Sequence, residues 1–291
     1  MADRRKLLAE WDELLARREP IRETLAFYQG ILGLWADWDG AGRVPRAAFG
    51  RDGAWCWARW KEGIPLYSGE AEVPFLREEI EPLLSGALGL LHGIREADGP
   101  GLVRLAEAWE AGELPASALL PTHPSFTRHV QERIGLSSDI LGFLCQIVVR
   151  PPLEEVVEPL RGLLEDSGWD RGICPFCGSP AAFSDLGEDG KRRLLCHLCG
   201  SEWGFLRIRC PFCDNRDPNT LKILSPEEEE GYFVDACDLC RGYVKGLDRR
   251  LRWNVVSSLL EDWGSPHLDL VALDLGYWRN TPSLVLLARE G

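Results

Sequence analysis

The chain has 291 residues, enough for roughly two domains and a sizeable core, with 45% hydrophobic residues and a formal net charge of -13. The negative charge is concentrated early, because residues 1 to 170 hold 18 basic and 28 acidic side chains. Such a chain repels a polyphosphate, which argues against nucleic acid as a partner of the whole protein.

The opening MADRRKLLAEWDELLARRE contains Arg4 and Arg5, but Glu10, Asp12 and Glu13 break the only apolar stretch after them, so no export signal is expected. The same residues begin a helical face at Leu7, Leu8, Trp11, Leu14 and Leu15, and Ile21, Leu25, Tyr28, Leu32 and Trp35 repeat it at steps of four and three. From Gly40 to Ser68 the pattern loosens into a loop with a short helix around Trp55, Trp57 and Trp60. Further helices are predicted over 74–92, 101–111, 125–134 and 138–149, before Pro151 and Pro152 punctuate the chain and Leu153, Val156, Leu160, Leu163 and Leu164 form another face. The longest apolar run, Ile140 to Val149, is about half the ~20 residues of a bilayer span, so no membrane insertion and a cytoplasmic location are expected.

No catalytic constellation stands out in this half. His92, His123 and His129 lack ligand spacing, Cys145 lies in an apolar helix as a small core residue, and the tryptophans read as packing.

From Gly172 to Lys245 short strands, turns and knuckles replace the helical faces. Eight of the ten cysteines occur here as four CxxC pairs, Cys174/Cys177, Cys196/Cys199, Cys210/Cys213 and Cys237/Cys240. In a reducing compartment such pairs are metal ligands or redox thiols rather than disulfides. A thioredoxin-type dithiol would need a βαβ setting that is absent from this pattern. Eighteen residues separate the first two pairs and twenty-three the last two, spacings suited to four-cysteine ribbons. An interleaved arrangement, first pair with third and second with fourth, is the alternative. Against it, Trp203 to Arg209 reads as a strand running from one knuckle to the next, and seven extended residues reach about 23 Å. The expected sites are therefore Cys174, Cys177, Cys196 and Cys199, then Cys210, Cys213, Cys237 and Cys240.

Closed tetrads of thiolates accept iron or zinc and leave no position for a reacting water, so no hydrolysis is expected of them. Their minimum role is to hold modules too small to fold without an ion. His197 reads as an exposed knuckle residue. Arg241 occupies the position after the fourth pair where the other knuckles carry glycine or aspartate, which predicts a less regular turn.

Four strings together are specific: Cys174-Pro-Phe-Cys-Gly-Ser179, Cys196-His-Leu-Cys-Gly-Ser-Glu-Trp203, Arg209-Cys-Pro-Phe-Cys213, and Asp235-Ala-Cys-Asp-Leu-Cys240 with Tyr243-Val-Lys245. In that order they resemble the formate dehydrogenase accessory protein family known as FdhE. The tail, LDLVALDL followed by Gly276-Tyr-Trp-Arg279, is similar to the family's closing helix and its Gly-x-x-Arg. The first 168 residues match in helical character and around Arg18 to Leu32. His267 departs from a usually acidic tail position.

The resemblance implies a multidomain α+β protein, an all-α N-terminal domain followed by two small rubredoxin-like or zinc-ribbon-like metal modules. The boundaries expected are 1–168 for the α-helical domain, 169–207 and 208–250 for the two modules, and 251–291 for a C-terminal helix and tail packed on them. It further implies a non-enzymatic maturation factor or chaperone, with two metal ions (iron, alternatively zinc), that binds the catalytic subunit of formate dehydrogenase in the cytoplasm.

Two other classes remain open. One is a rubredoxin-like electron carrier. The other is a nucleic-acid-binding zinc ribbon using Lys191, Arg192, Arg193, Arg207 and Arg209, although residues 171 to 250 hold 12 basic against 13 acidic side chains.

Overall fold

A computed structural model of the chain describes residues 4–18, 21–40, 52–69, 73–92, 94, 96–165, 167–226, 229–252 and 255–289. Its helical part contains α1 (Arg4–Arg17), α2 (Arg22–Asp37), α3 (Gly53–Lys61), α4 (Arg77–Leu91), α5 (Gly99–Glu110), α6 (Pro124–Phe126) and α7 (Ser138–Val157). A π-helical turn, Thr127–Gln131, continues α6. The loop expected after Gly40 lies largely outside the described residues, at 41–51.

The prolines at 151 and 152 do not end the seventh helix. It continues through both to Val157, then tightens into a 3-10 segment, Glu158–Leu164. A proline inside a helix orphans the carbonyl four residues earlier. Here the carbonyl of Ile147, which Pro151 leaves without a donor, accepts the indole N–H of Trp35 at 2.9 Å. A partner from a neighbouring helix replaces the missing bond, and spacing within α7 cannot reveal it.

After the helices come β1 (Ala181–Leu186), β2 (Arg192–Cys196), β3 (Glu202–Gly204), β4 (Leu221–Leu224), β5 (Tyr232–Cys237) and β6 (Gly242–Asp248). They are followed by α8 (Ser258–Trp263), α9 (Pro266–Asp274), β7 (Trp278–Arg279) and α10 (Leu284–Arg289). The strands of both cysteine modules form one sheet, ordered β3-β2-β1-β6-β5-β4, with β7 added beside β6. The junction is a parallel pairing of β1 with β6, Phe183 opposite Lys245 and Leu186 opposite Asp248.

The expected strand over 203–209 is only partly present. β3 stops at Gly204, and the next residues form an irregular loop whose carbonyls at Leu206 and Arg209 accept hydrogen bonds from the buried Arg192 guanidinium. That inward-reaching arginine satisfies the backbone in place of a neighbouring strand.

The C-terminal segment ties the two parts together. Trp263 of α8 stacks on Tyr28 of α2 with ring centroids 4.3 Å apart, while Trp11 of α1 meets both rings edge-on. On the sheet side, β6 and the tail enclose a charged cluster. Lys245 Nζ donates to Asp269 Oδ2 at 2.8 Å and to the Asp262 carbonyl at 2.6 Å. Arg279 spans Asp262 (2.7 Å) and Asp269 (2.9 Å), and the Tyr243 hydroxyl donates to Asp269 at 2.8 Å. Two cations therefore face two carboxylates, all buried. The lysine of Tyr-Val-Lys and the arginine of Gly-x-x-Arg belong to this one cluster.

Burial acts to raise the Asp269 carboxyl, but Arg279 and Lys245 outweigh it and hold it below the usual aspartate range. Lys245→Met would leave two carboxylates against one guanidinium. It should destabilise the protein by about 3–5 kcal/mol in urea unfolding. Adding Asp269→Asn should recover part of that loss, and a single variant as stable as the parent would contradict the assignment.

A second link joins Arg18 to Glu229 in the β4–β5 connection, where His267 Nε2 also lies 3.2 Å from the carboxylate. Burial opposes ionisation of Glu229, yet the hydrogen bonds from His267 and Arg18 prevail and lower it from 4.5 to about 2. A carboxyl depressed in the folded state contributes stability above its unfolded pKa and loses it as pH falls through the folded value. The melting-temperature difference between parent and Glu229→Gln should therefore shrink as pH falls from about 5 towards 2.

Candidate metal centres

Each CxxC pair folds into the same tight turn. The amide directly after the second cysteine closes back onto the first: Gly178, Gly200, Asp214 and Arg241 donate to the carbonyls of Cys174, Cys196, Cys210 and Cys237 at 2.8–3.1 Å. All four donors have left-handed backbone, with φ of 77°, 65°, 64° and 61°. Arg241 thus does not disturb the fourth turn as its side chain suggests. An arginine there costs about 1–2 kcal/mol, and the tail holds it: its Nη2 donates to the Leu275 carbonyl at 2.6 Å and its guanidinium lies 4.1 Å from the Tyr277 ring centroid.

The sulfurs gather as two groups, Cys174, Cys177, Cys196 and Cys199 in one and Cys210, Cys213, Cys237 and Cys240 in the other, each with its atoms within 4.8 Å of one another. The interleaved arrangement is not adopted. In the first group Cys174–Cys199 and Cys177–Cys196 approach to 3.4 Å. In the second, Cys210–Cys240 and Cys213–Cys237 are 3.7 Å apart. Four thiolates around one ion with bonds of about 2.3 Å lie about 3.8 Å from each other, so both groups suit a four-coordinate thiophilic ion.

Backbone and side-chain donors point at the sulfurs as such ions require. Phe212 N–H reaches Cys210 Sγ and Gly242 N–H reaches Cys240 Sγ, both at 3.4 Å. Asn215 Nδ2 lies 3.5 Å from Cys237 Sγ, and Ser201 Oγ 3.3 Å from Cys199 Sγ. Asn215 and Ser201 were not singled out from sequence. A signal existed, since Ser179, Ser201 and Asn215 each lie two places after the second cysteine of a pair.

The thiols of the first group feel deep burial. It pushes Cys174 and Cys196 well above the ordinary thiol range, whereas at Cys199 burial is outweighed by hydrogen bonds from the neighbouring thiols and Ser201, which lower it. In the second group burial raises Cys240 to about 11. At Cys237 burial is overcome by the Cys240 amide and Asn215, which lower it to about 7.

The two centres differ in setting. All four cysteines of the first are 0% exposed, and the helical region clasps its turns. Leu66 and Tyr67 amides donate to the carbonyls of Pro175 and Phe176, Trp60 Nε1 donates to Pro175 at 2.9 Å, and Arg150 donates to the His197 carbonyl at 2.8 Å. The approach is so close at Gly200 that an added Cβ would sit 2.5 Å from Glu154 Oε1. His197 is accordingly buried, not exposed as its place in the knuckle suggested. Burial, with Arg150 beside it, pushes its imidazole down to about 3, so it is neutral. The second centre packs against the tail, through Phe212 against Trp278 and Trp278 Nε1 on the Cys240 carbonyl at 2.7 Å. Cys213 is exposed and Cys240 half-buried.

The basic cluster beside the first centre is largely neutralised from within. Arg192 pairs with Asp235 at 2.9 Å, Arg193 with Asp189 at 2.9 Å, and Arg209 with Asp170 and Asp214. Of the other sequence features, Cys56 and Cys145 are fully buried core residues. Among the described residues no helix is long and apolar enough to cross a membrane.

With this geometry in view, a family model described as the FdhE central domain matches residues 173–207. The chain is similar to an FdhE homolog of Aquifex aeolicus, 26% identical over 216 residues and 73% of either chain. It is also similar to homologs from Stutzerimonas stutzeri (35% over 122 residues) and Pseudomonas aeruginosa (33% over 130 residues), each match covering about 40% of both proteins. The crystal structure of the FdhE protein from Pseudomonas aeruginosa superposes with a TM-score of 0.67 at 25% identity, over 97% of this chain and 95% of that one.

The unequal burial predicts unequal ion release. Under a thiophilic chelator at neutral pH the loaded protein should lose its ions in two phases, the exposed centre first and at least about tenfold faster, because access to the sulfurs governs attack. Far-ultraviolet circular dichroism should change mainly with the second phase. Release of both ions at one rate would refute the distinction.

Proposed function

The chain belongs to the FdhE family, and from that premise we propose that it is a non-enzymatic accessory protein that binds the catalytic subunit of formate dehydrogenase in the cytoplasm and assists its maturation. The observation that carries this reading is the likeness to a solved FdhE protein along nearly the whole chain, helical part included, together with the ordered cysteine turns. In this reading Cys174, Cys177, Cys196 and Cys199 hold one ion and Cys210, Cys213, Cys237 and Cys240 a second. Iron is the proposed metal and zinc the alternative; either would supply the charge that stabilises buried thiolates.

The residues have separable tasks. The eight thiolates close both coordination shells, leaving no position for a substrate or reacting water, which favours a holding role over hydrolysis. Ser201 and Asn215 orient sulfurs, and Arg150 with Trp60 seats the first centre on the helical domain. We read 1–168 as that domain, 169–207 and 208–250 as the two modules and 251–291 as the segment that packs against them, all acting as one presenting body.

The exposure of Cys213 favours one second reading, an electron carrier working through the second centre. Colour and turnover separate the two. Protein purified without oxygen and loaded with zinc is colourless and cannot pass electrons, so full maturation activity in that form excludes the carrier.

The accessory reading predicts that immobilised, metal-loaded protein captures the formate dehydrogenase catalytic subunit. Cys196→Ser should weaken capture severely by loosening the clasp with the helices. Cys213→Ser should weaken it less, with the helical core still folded. Failure of the fully loaded parent to capture the subunit would end this reading.

A further inference from the structure

Strand register assigns the two faces of the sheet. Side chains alternate along a strand, and partners in register share a face. Phe183, Val234 and Lys245 therefore point one way, towards α8 and α9, where Lys245 meets Asp262 and Asp269. Ser184, Gly246, Phe233, Asp235 and Ile223 point the other way. No helix covers that second face among the described residues. It is overhung only by the irregular loop after β3.

The uncovered face is not flat and carries exposed apolar side chains. It forms a groove of about 810 Å³ between the loop and β4, continued by a smaller hollow of about 190 Å³ that ends at Cys210 and Cys237 of the second centre. The two spaces share Arg192, Arg207, Ile208, Ile223 and Asp235. Ile223 is 70% exposed and Ile208 62%, while Leu251 at the far end is 54% exposed. The floor is smooth because Gly246 has no side chain: a Cβ there would lie 2.4 Å from the Phe233 ring. Contiguous exposed apolar surface beside a groove marks a binding site more often than a solvated sheet face.

Charge indicates what lies there. The cations around the groove are mostly engaged: Arg192 with Asp235, Arg209 with Asp170 and Asp214, and Lys222 with Asp238. The carboxylates of Asp248 and Glu229 are likewise held, by Arg250 and by Arg18. Arg207 is exposed and forms no hydrogen bond or ion pair among the described residues; Asp235 and Asp248 feel its charge only at longer range. It stands where the two spaces meet, whereas Glu230 lines only the half away from the cysteines. A carboxylate is complementary to the half nearer the second centre and unfavourable at the other end.

We propose that this groove binds an extended, apolar segment of the client polypeptide, with an acidic residue on Arg207 and the segment's end lying over Cys210 and Cys237. The proposal rests on the reading of the chain as a client-binding accessory protein and names the surface used. The hollow ends on two cysteines of the second centre, so an ion held there reports binding.

The test uses the full chain loaded with cobalt at both centres and short overlapping peptides spanning the formate dehydrogenase catalytic subunit. Peptides combining apolar residues with one acid should bind and perturb the cobalt–thiolate absorption bands. Arg207→Glu and Ile223→Asp, both at exposed positions, should weaken binding of those peptides and of the intact subunit by about tenfold or more at unchanged metal content and melting temperature. Exchanging the peptide's acid for lysine should restore binding to the Arg207→Glu protein.

Equal capture by parent and both variants overturns the groove while leaving the accessory reading intact. The same follows if Ile223→Asp only abolishes self-association in sedimentation, because the face would then pair two copies of this chain. A parent that captures no subunit removes both proposals together.

Discussion

The parallel pairing of β1 with β6 is the contact on which the rest of the structure depends. Each cysteine module supplies a small antiparallel meander, and neither contains enough apolar surface to stand alone. Joining them edge to edge removes two exposed strand edges and makes a sheet long enough to have an interior. Parallel strands are stable chiefly where packing covers them. Here α8 and α9 cover one face, and the chain must place Lys245 of β6 beneath them. A lysine there is tolerable because Asp262 and Asp269 come with the covering helices and Arg279 completes the balance. Sheet, tail and charge cluster form one cooperative unit.

That unit explains how a cysteine-rich segment is attached to a helical one. Trp263 continues from the covering helix into the aromatic cluster of α1 and α2, so the tail touches both halves. The first cysteine tetrad makes a second attachment, its turns gripped by Trp60, the 65–67 segment and Arg150. The second centre belongs to the β4–β6 half of the sheet, where the tail packs on it through Trp278 and the 170–172 segment approaches Arg209 and Pro211. The two tetrads are chemically alike, yet one is a buried joint and the other a partly exposed terminus. The difference arises wholly from their neighbours.

The open sheet face completes this asymmetry. Helices close one side, while the other retains isoleucines and Arg207, which has no ion pair among the described residues, beside the partly exposed tetrad. A surface made for water would carry polar side chains at Ile223 and Ile208. The proposed binding face is thereby separated from the joint that holds the molecule together.

Much of this was legible in the sequence. Helical periodicity located α1, α2, α4, α5 and the first part of α7, since amphipathic spacing is a local property. Cysteine spacing identified the eight thiols, and their order with Ser-Glu-Trp203 and Tyr-Val-Lys245 indicated the family, because these constraints act within a few residues. What tertiary structure alone decided involves partners distant in the chain. Ile147 accepts Trp35 and lets α7 run through two prolines; Arg192 gathers the loop that spacing had read as a strand; Arg150 buries His197; and Leu275 with Tyr277 steadies Arg241 in a left-handed turn. Local sequence specifies which groups a segment must satisfy, but only the folded chain determines which distant group satisfies them.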